Sequence, residues 1–187
     1  MTRILGISGS LRRDSHNTSL LRAAAEAAGP DVQFKLYDRV KEVPPYDEDD
    51  DVHPRPASIA RLNRAIATAD AVLFATPEYN ASIPGQLKNA IDWVSRPVAT
   101  NVLRNKPVAV VGASTGAFGA AWAQAELRKV LAALGARVLD VELRVPHAHT
   151  RFEEGGLIDE EIRAGLADAV AALAEEIRLR EGVKAVA

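Results

Sequence analysis

Three stretches of the chain collect residue types suited to gripping a phosphorylated, planar ligand. The first is Gly9-Ser10-Leu11-Arg12-Arg13-Asp14-Ser15-His16-Asn17. Hydroxyls, a guanidinium, a side-chain amide and the free N–H groups of a helix start come together there, a combination that suits a phosphate dianion. The Gly-Lys-Ser/Thr ending of a P-loop and the third glycine of a dinucleotide fingerprint are both missing, so a single phosphate, as on a mononucleotide, is the ligand expected. Helix capping by Ser15 or Asn17 with a solvated Arg12 is the alternative. The second stretch, Thr76-Pro77-Glu78-Tyr79-Asn80-Ala81-Ser82-Ile83-Pro84-Gly85, carries two prolines that stiffen the backbone, so its N–H and C=O groups can be fixed against the edge of a flat heterocycle. A plain rigid turn into a helix beginning near Pro84 is the competing explanation. The third, Ser114-Thr115-Gly116-Ala117-Phe118-Gly119, has small residues that let a ligand approach the main chain. It also suits a simple strand-to-helix turn with positive φ at Gly116.

Positioning these stretches requires a sheet. Apolar runs at Arg3–Ser8, Val32–Tyr37, Ala71–Thr76, Val108–Ala113 and Val138–Val145 read as strands, and nearly all precede a segment with helical spacing. Five strands alternating with helices predict an α/β fold, a parallel sheet with helices on both faces. A first helix is expected from about Asn17 to Ala28, before the stop signal Gly29-Pro30. Another carries Trp122, Leu127, Val130, Leu131 and Leu134 on its apolar stripe, and the last presents Ile162, Leu166, Val170, Leu173 and Ile177 after an acidic start at Asp159. No repeat or linker breaks the 187 residues, so residues 1–187 are expected to form one domain. In open α/β sheets ligands bind at the carboxyl ends of the strands, which is where all three stretches fall.

Composition narrows the chemistry. With no cysteine, the chain has no thiol nucleophile, disulfide or thiolate metal site, so any redox work needs a bound group. Lys and Arg number 23 against 25 Asp and Glu, a net charge of −2 that gives no basic footprint for nucleic acid. The N-terminal apolar run ends at Gly and Ser, too short for a signal peptide or a membrane span, and a cytoplasmic location is expected. The acidic run Asp47-Glu48-Asp49-Asp50-Asp51 reads as a solvated loop, and His147 with His149 as polar side chains facing solvent, in preference to metal sites.

Taken together, Gly9-Ser10-Leu11-Arg12-x-x-Ser15-x-Asn17, Pro77-Glu78-Tyr79-Asn80-x-Ser82-x-Pro84-Gly85 and Leu87-Lys88-Asn89-Ala90-Ile91-Asp92-Trp93-x-Ser95-Arg96-Pro97 resemble the signature of the NAD(P)H-dependent FMN reductases, a group that includes bacterial chromate and quinone reductases. The Ser-Thr-Gly-x-x-Gly turn and Pro45-Tyr46-Asp47 are similar too. The resemblance implies a flavodoxin-like, doubly wound five-stranded sheet of order 2-1-3-4-5. It places the FMN phosphate on Ser10, Arg12, Ser15 and Asn17, and the isoalloxazine along Pro77, Glu78, Tyr79 and Asn80, with Ser114, Thr115 and Gly116 approaching the ring and Ser82 as a further contact. It implies a ping-pong oxidoreductase that passes hydride from NAD(P)H through FMN to small-molecule acceptors such as quinones, free flavins or chromate, with no catalytic side chain in the strict sense. It also implies a homodimer or homotetramer in which the helix from about Pro84 to Trp93 packs across the interface, with Trp93 and Val94 either in that interface or in the core. The rival readings are a flavodoxin-type electron carrier, which usually has a hydroxyl-rich phosphate loop and strong acidity, and a flavin-free receiver domain, which needs a phosphoacceptor Asp after the third strand.

Overall fold

Apolar residues on alternate positions of the strands divide the interior into two cores, one on each side of a parallel sheet. The computed structural model describes residues 1–186, with only the backbone for Glu181 and residues 183–186, so the final residue of the expected domain lies outside the described residues. Strands β1 (Thr2–Ser8), β2 (Val32–Tyr37), β3 (Ala71–Thr76) and β4 (Pro107–Ala113) pair in parallel in the order β2-β1-β3-β4. Ile4, Leu73, Ala75, Ala109, Val111 and Ala113 face helices α1 (His16–Glu26) and α5 (Glu160–Val186). Leu5, Ile7, Val72, Phe74, Val108 and Val110 face α2 (Ala57–Thr68), α3 (Gly85–Val94) and α4 (Ala121–Ala133). Every residue of β3 and β4 is buried, as parallel strands covered on both faces must be.

The fifth strand departs from expectation. The run Val138–Val145 is broken into β5 (Arg137–Val138) and β6 (Leu143–Val145), both paired in parallel with the outer edge of β4, which keeps the order 2-1-3-4-5. Arg128 of α4 occupies the break, donating to the carbonyls of Leu139 (3.0 Å), Val110 (3.3 Å) and Val141. Burial lowers the guanidinium pKa from its ordinary value, so these carbonyls do the work that water does elsewhere. An apolar pattern cannot reveal such an insertion. A small antiparallel hairpin, β7 (Phe152–Glu153) with β8 (Gly156–Leu157), then leads into α5.

Helix ends follow their capping chemistry. Ser15 is the N-cap of α1, its hydroxyl accepting from the Thr18 N–H at 3.2 Å, so the helix begins at His16 and stops at Glu26, two residues short of the expected Ala28. Asp159 caps α5 through the Ile162 N–H (3.1 Å) and pairs with Arg151 (2.7 Å). Pro84 stands just outside α3 as its N-cap residue. The expected Lys88–Asp92 pair forms at 2.7 Å on the outer side of α3.

The inner side of α3 settles the alternatives for Trp93 and Val94. Both are core residues, 0% and 1% exposed within the chain. The Trp93 indole donates to the Pro44 carbonyl (2.9 Å), while Asn89 donates to the same oxygen (2.8 Å) and accepts from the Tyr46 N–H (2.7 Å). Gln86 adds bonds to the carbonyls of Val40 and Val43. A loop that reads as irregular in the sequence is thus lashed to α3. Trp122 goes the other way: expected on the buried stripe of α4, it is 49% exposed, with Leu127 and Leu131 in the core. Among the described residues no helix is long and apolar enough to cross a membrane. Trp93→Ala is expected to cost about 3–5 kcal/mol by emptying a large buried volume, read as a lower midpoint in urea unfolding.

Candidate functional site

The loops after β1, β3 and β4 meet at one end of the sheet and are bonded to one another. Gly9 N–H donates to the Ala75 carbonyl at the end of β3 (2.8 Å). Asn17, 3% exposed, spans to β4: its Nδ2 donates to the Ala113 carbonyl and its Oδ1 accepts from the Ala113 N–H, both at 2.9 Å. The amide side chain thereby imitates a strand neighbour at the end of β4, and both its polar ends are satisfied despite burial.

In the first loop, Ser8 and Ser10 are buried and interlocked. The Ser10 N–H donates to Ser8 Oγ (3.2 Å), which also accepts from the Thr18 hydroxyl (3.0 Å). Among the described residues, the N–H groups of Arg12 and Arg13 and of His16 and Asn17, the first two residues of α1, have no partner in the chain. The N–H groups of Leu11, Asp14 and Ser15 are likewise unpaired among the described residues, and the exposed Arg12 guanidinium donates to the Asp14 carbonyl (2.8 Å). Free donors of this kind beside Arg12, at a helix N-terminus without acidic residues in its first turn, are what a phosphate needs. His16 stacks on Phe152 at 5.1 Å. Burial holds its imidazole below the ordinary histidine value, and the Arg12 and His149 charges push in the same direction. The side chains of Ser15 and Asn17 are both occupied structurally, so a phosphate there meets chiefly backbone donors, the Ser10 and Ser15 O–H groups and Arg12.

The second loop is a strained turn. Tyr79 and Ser82 exchange N–H···O bonds (3.0 and 3.1 Å) across Asn80 and Ala81, whose φ values are +52° and +60°. This is the geometry of a two-residue hairpin turn, for which Asn is well suited and Ala is not. Glu78 does not extend from this loop as a free carboxylate. Its Oε2 accepts from the N–H groups of Trp122 (2.9 Å) and Ala123 (3.1 Å) and so caps α4, a task that no residue of α4's own N-terminus performs. The Ser82 hydroxyl donates to Glu126 Oε2 at 2.5 Å.

The third loop is zipped to the segment after β6. Ser114 donates its N–H to the Val145 carbonyl, its own carbonyl accepts from Ala148, and the Gly116 carbonyl accepts from His147. Positive φ falls at Gly119 (+56°) and Ala120 (+61°), not at Gly116. A side chain at Gly119 would lie 2.7 Å from the Val145 nitrogen, so this glycine is there for a close crossing of two backbones. Thr115 and Gly116 remain exposed. Tyr79, Phe118 and Trp122 are exposed as well, the last two edge to face at 4.8 Å, and give this end of the sheet an aromatic rim.

All twelve residues expected at the site therefore sit on the strand-end loops or the first turn of α1. The reading of the sequence missed Thr18, Glu126 and the exposed pair Phe118 and Trp122. Helical spacing held a signal for the last two partners of the turn, since residues 122 and 126 are one turn apart, but the apolar-stripe pattern put Trp122 inside. Asp47 to Asp51 are arranged by local bonds, Asp47 accepting from the Asp49 N–H (3.0 Å) and Asp51 pairing with Arg55 (2.6 Å).

The family model described as NADPH-dependent FMN reductase matches residues 2–150. The chain belongs to that family. Its resemblance in three loops thus extends over most of the chain. An NAD(P)H-dependent FMN reductase of Pseudomonas aeruginosa is 40% identical over 182 residues, covering 96% of this chain and 97% of the relative. A 2-hydroxy-1,4-benzoquinone reductase of a Burkholderia species is 40% identical over 163 residues, 86% of this chain and 88% of the relative. Among solved structures, the flavoenzyme NAD(P)H:(acceptor) oxidoreductase FerB of Paracoccus denitrificans superposes with a TM-score of 0.84 at 37% identity, covering 95% of this chain and 98% of that one. The NADPH-dependent FMN reductase family is a family of oxidoreductases, and its flavodoxin-like sheet order is the one found here.

Asn17→Asp is the sharpest local test of this loop assembly. It sets a carboxylate oxygen against the Ala113 carbonyl in a buried site, and is expected to lower the unfolding free energy by about 1–3 kcal/mol in a urea titration.

Proposed function

We propose that this member of the family is an NAD(P)H:quinone oxidoreductase that holds one FMN across the ends of β1, β3 and β4. The observation that carries the proposal is the set of free N–H groups at Arg12, Arg13, His16 and Asn17, next to the Arg12 guanidinium. Ser10, Arg12, Ser15 and Asn17 would hold the phosphate, Asn17 through its N–H. Pro77, Glu78, Tyr79, Asn80 and Ser82 would form one border of the isoalloxazine, and Ser114, Thr115 and Gly116 the other. Bound there, FMN supplies hydride transfer from a nicotinamide donor to an acceptor. The chain's part is binding and orientation. Among the described residues, the main-chain donors left unpaired in the fixed turns, the N–H groups of Glu78, Asn80 and Thr115, would meet charge that develops on a planar ring without having to reorganise. No side chain here is asked to act as nucleophile or general base.

Donor and acceptor would use the same exposed face in turn, a ping-pong order. The aromatic rim of Tyr79, Phe118 and Trp122 suits planar acceptors, and the names of the related quinone reductases point the same way. Free flavins fit the same face, and chromate is the acceptor least suited to an aromatic rim. The proposal takes residues 1–187 as one domain, because both cores share one sheet, and places it in the cytoplasm with its soluble donor. It includes a homodimer or homotetramer. Trp93 and Val94 are committed to the core, so among the described residues the exposed large apolar side chains at this end that could serve such contacts are Leu11 and the aromatic rim.

Two measurements test the proposal. Purified protein given FMN should show flavin absorption bands that bleach anaerobically on adding NADPH or NADH and return with a quinone, and a chain that binds no FMN contradicts it. Arg12→Ala should raise the FMN dissociation constant about tenfold or more, since charge-assisted bonds to phosphate are among the stronger polar contacts; an unchanged constant contradicts the phosphate assignment.

A further inference from the structure

The Tyr79–Ser82 turn holds a conformation that its own residues do not favour. Asn80 and Ala81 both have positive φ, and Ala81 is exposed at the tip. A non-glycine residue in this region persists only where its surroundings over-determine it. Here the surroundings are two carboxylates used from opposite directions. On the entry side, Glu78 reaches from the loop to the first N–H groups of α4. On the exit side, Glu126 reaches back from the next turn of α4 to the Ser82 hydroxyl, at the 2.5 Å typical of an O–H···O⁻ bond. The two attachments lie one helical turn apart on the same face of α4, so the strained turn is stretched between fixed points. Because α4 starts directly after the Ser114–Ala120 loop, the same pair of bonds sets the distance between the second and third loops.

We infer that Glu126 is a positioning residue: through Ser82 it holds the Tyr79–Ser82 turn in its left-handed form and thereby sets the main-chain border offered to the flavin ring. The flavin half of this statement rests on the function proposed above; the turn half does not. The contribution of Glu126 runs through its bond to the Ser82 hydroxyl. An acceptor is required at position 126, not a charge, so glutamine suffices there and alanine does not.

The test uses the full-length chain as wild type, Glu126→Ala and Glu126→Gln. Without added flavin, hydrogen–deuterium exchange at the Tyr79 and Ser82 amides should quicken at least fivefold in Glu126→Ala and stay near wild type in Glu126→Gln. With FMN, Glu126→Ala should weaken flavin binding severalfold and shift the visible flavin spectrum and the midpoint potential, while Glu126→Gln restores all three. Unchanged amide exchange in Glu126→Ala overturns the inference, as does a glutamine variant no better than alanine. A wild-type chain that binds no FMN, combined with faster exchange in Glu126→Ala alone, would instead refute the proposed function and leave the hold on the turn established.

Discussion

One side-chain amide sets the geometry on which the rest of this end of the molecule depends. Asn17 closes two hydrogen bonds on the main chain of Ala113, across 96 residues of sequence, from the first turn of α1 to the last residue of β4. Both partners are buried, so neither can be exchanged for water without leaving an orphaned polar group. The height of α1 relative to the sheet is therefore fixed to within a hydrogen-bond length. So is the loop that precedes it, and so is the loop that follows β4. The apolar cores decide that helices lie on the sheet; they are non-directional and would tolerate a slide along it. The amide supplies the direction.

Polar fastening of this kind recurs wherever the loops need to be rigid. Glu78 caps a helix that does not cap itself, Asn89 and Gln86 tie the 40–46 segment to α3, and Arg128 fills the break in the outer strand. The non-glycine residues with positive φ include Asn80, Ala81, Ala120 and His147, all in the loops at the carboxyl ends of the strands or in the segment zipped to them. Strain is tolerated where these fastenings over-determine the backbone. A flavoenzyme of this family asks little acid–base chemistry of its side chains and much precision of its main chain. Four of the six non-glycine residues with positive φ among the described residues lie at this end, Asn105 before β4 and Glu154 in the β7–β8 hairpin being the other two.

The legible part of the sequence was the part governed by periodicity and by short-range capping. Four strands and the buried stripe of α5 follow from apolar spacing, because a covered parallel strand has no other way to look, and the sheet order came through the resemblance. The site loops were legible as places, since Gly, Pro, Ser and Asn cluster there at the ends of strands. What the side chains in them do was not. The structural bonds of the Asn17 amide and the Glu78 carboxylate stayed hidden because such groups in a loop look free until their partners, 96 and 44 residues away, are known. Trp122 groups with Leu127 and Leu131 as apolar, yet it stands five and nine residues before them, which at 3.6 residues per turn is the opposite side of the helix, and it is exposed. The split of the fifth strand lay hidden because Leu139 and Val141 are apolar like their neighbours, and only the guanidinium reaching their carbonyls distinguishes them.

The absence of cysteine and the near balance of charge acquire their meaning at this point. A chain with no thiol and a net charge of −2 has little with which to move electrons or to attract an ionic substrate from a distance. Both tasks pass to a local arrangement. In the first loop two exposed cations, Arg12 and Arg13, and one exposed carboxylate, Asp14, stand beside free N–H groups; around the other two loops the exposed large apolar side chains are Tyr79, Phe118 and Trp122. One end of the site is thus built for an anion and the other for a flat apolar surface, which is the polarity of a phosphorylated ring. On the proposed reading, an acceptor that approaches the ring meets aromatic edges and not cations, so selection among acceptors rests on shape and stacking. Planar quinones satisfy that condition directly, whereas a small oxyanion finds its complementary charges only at the end already taken by phosphate.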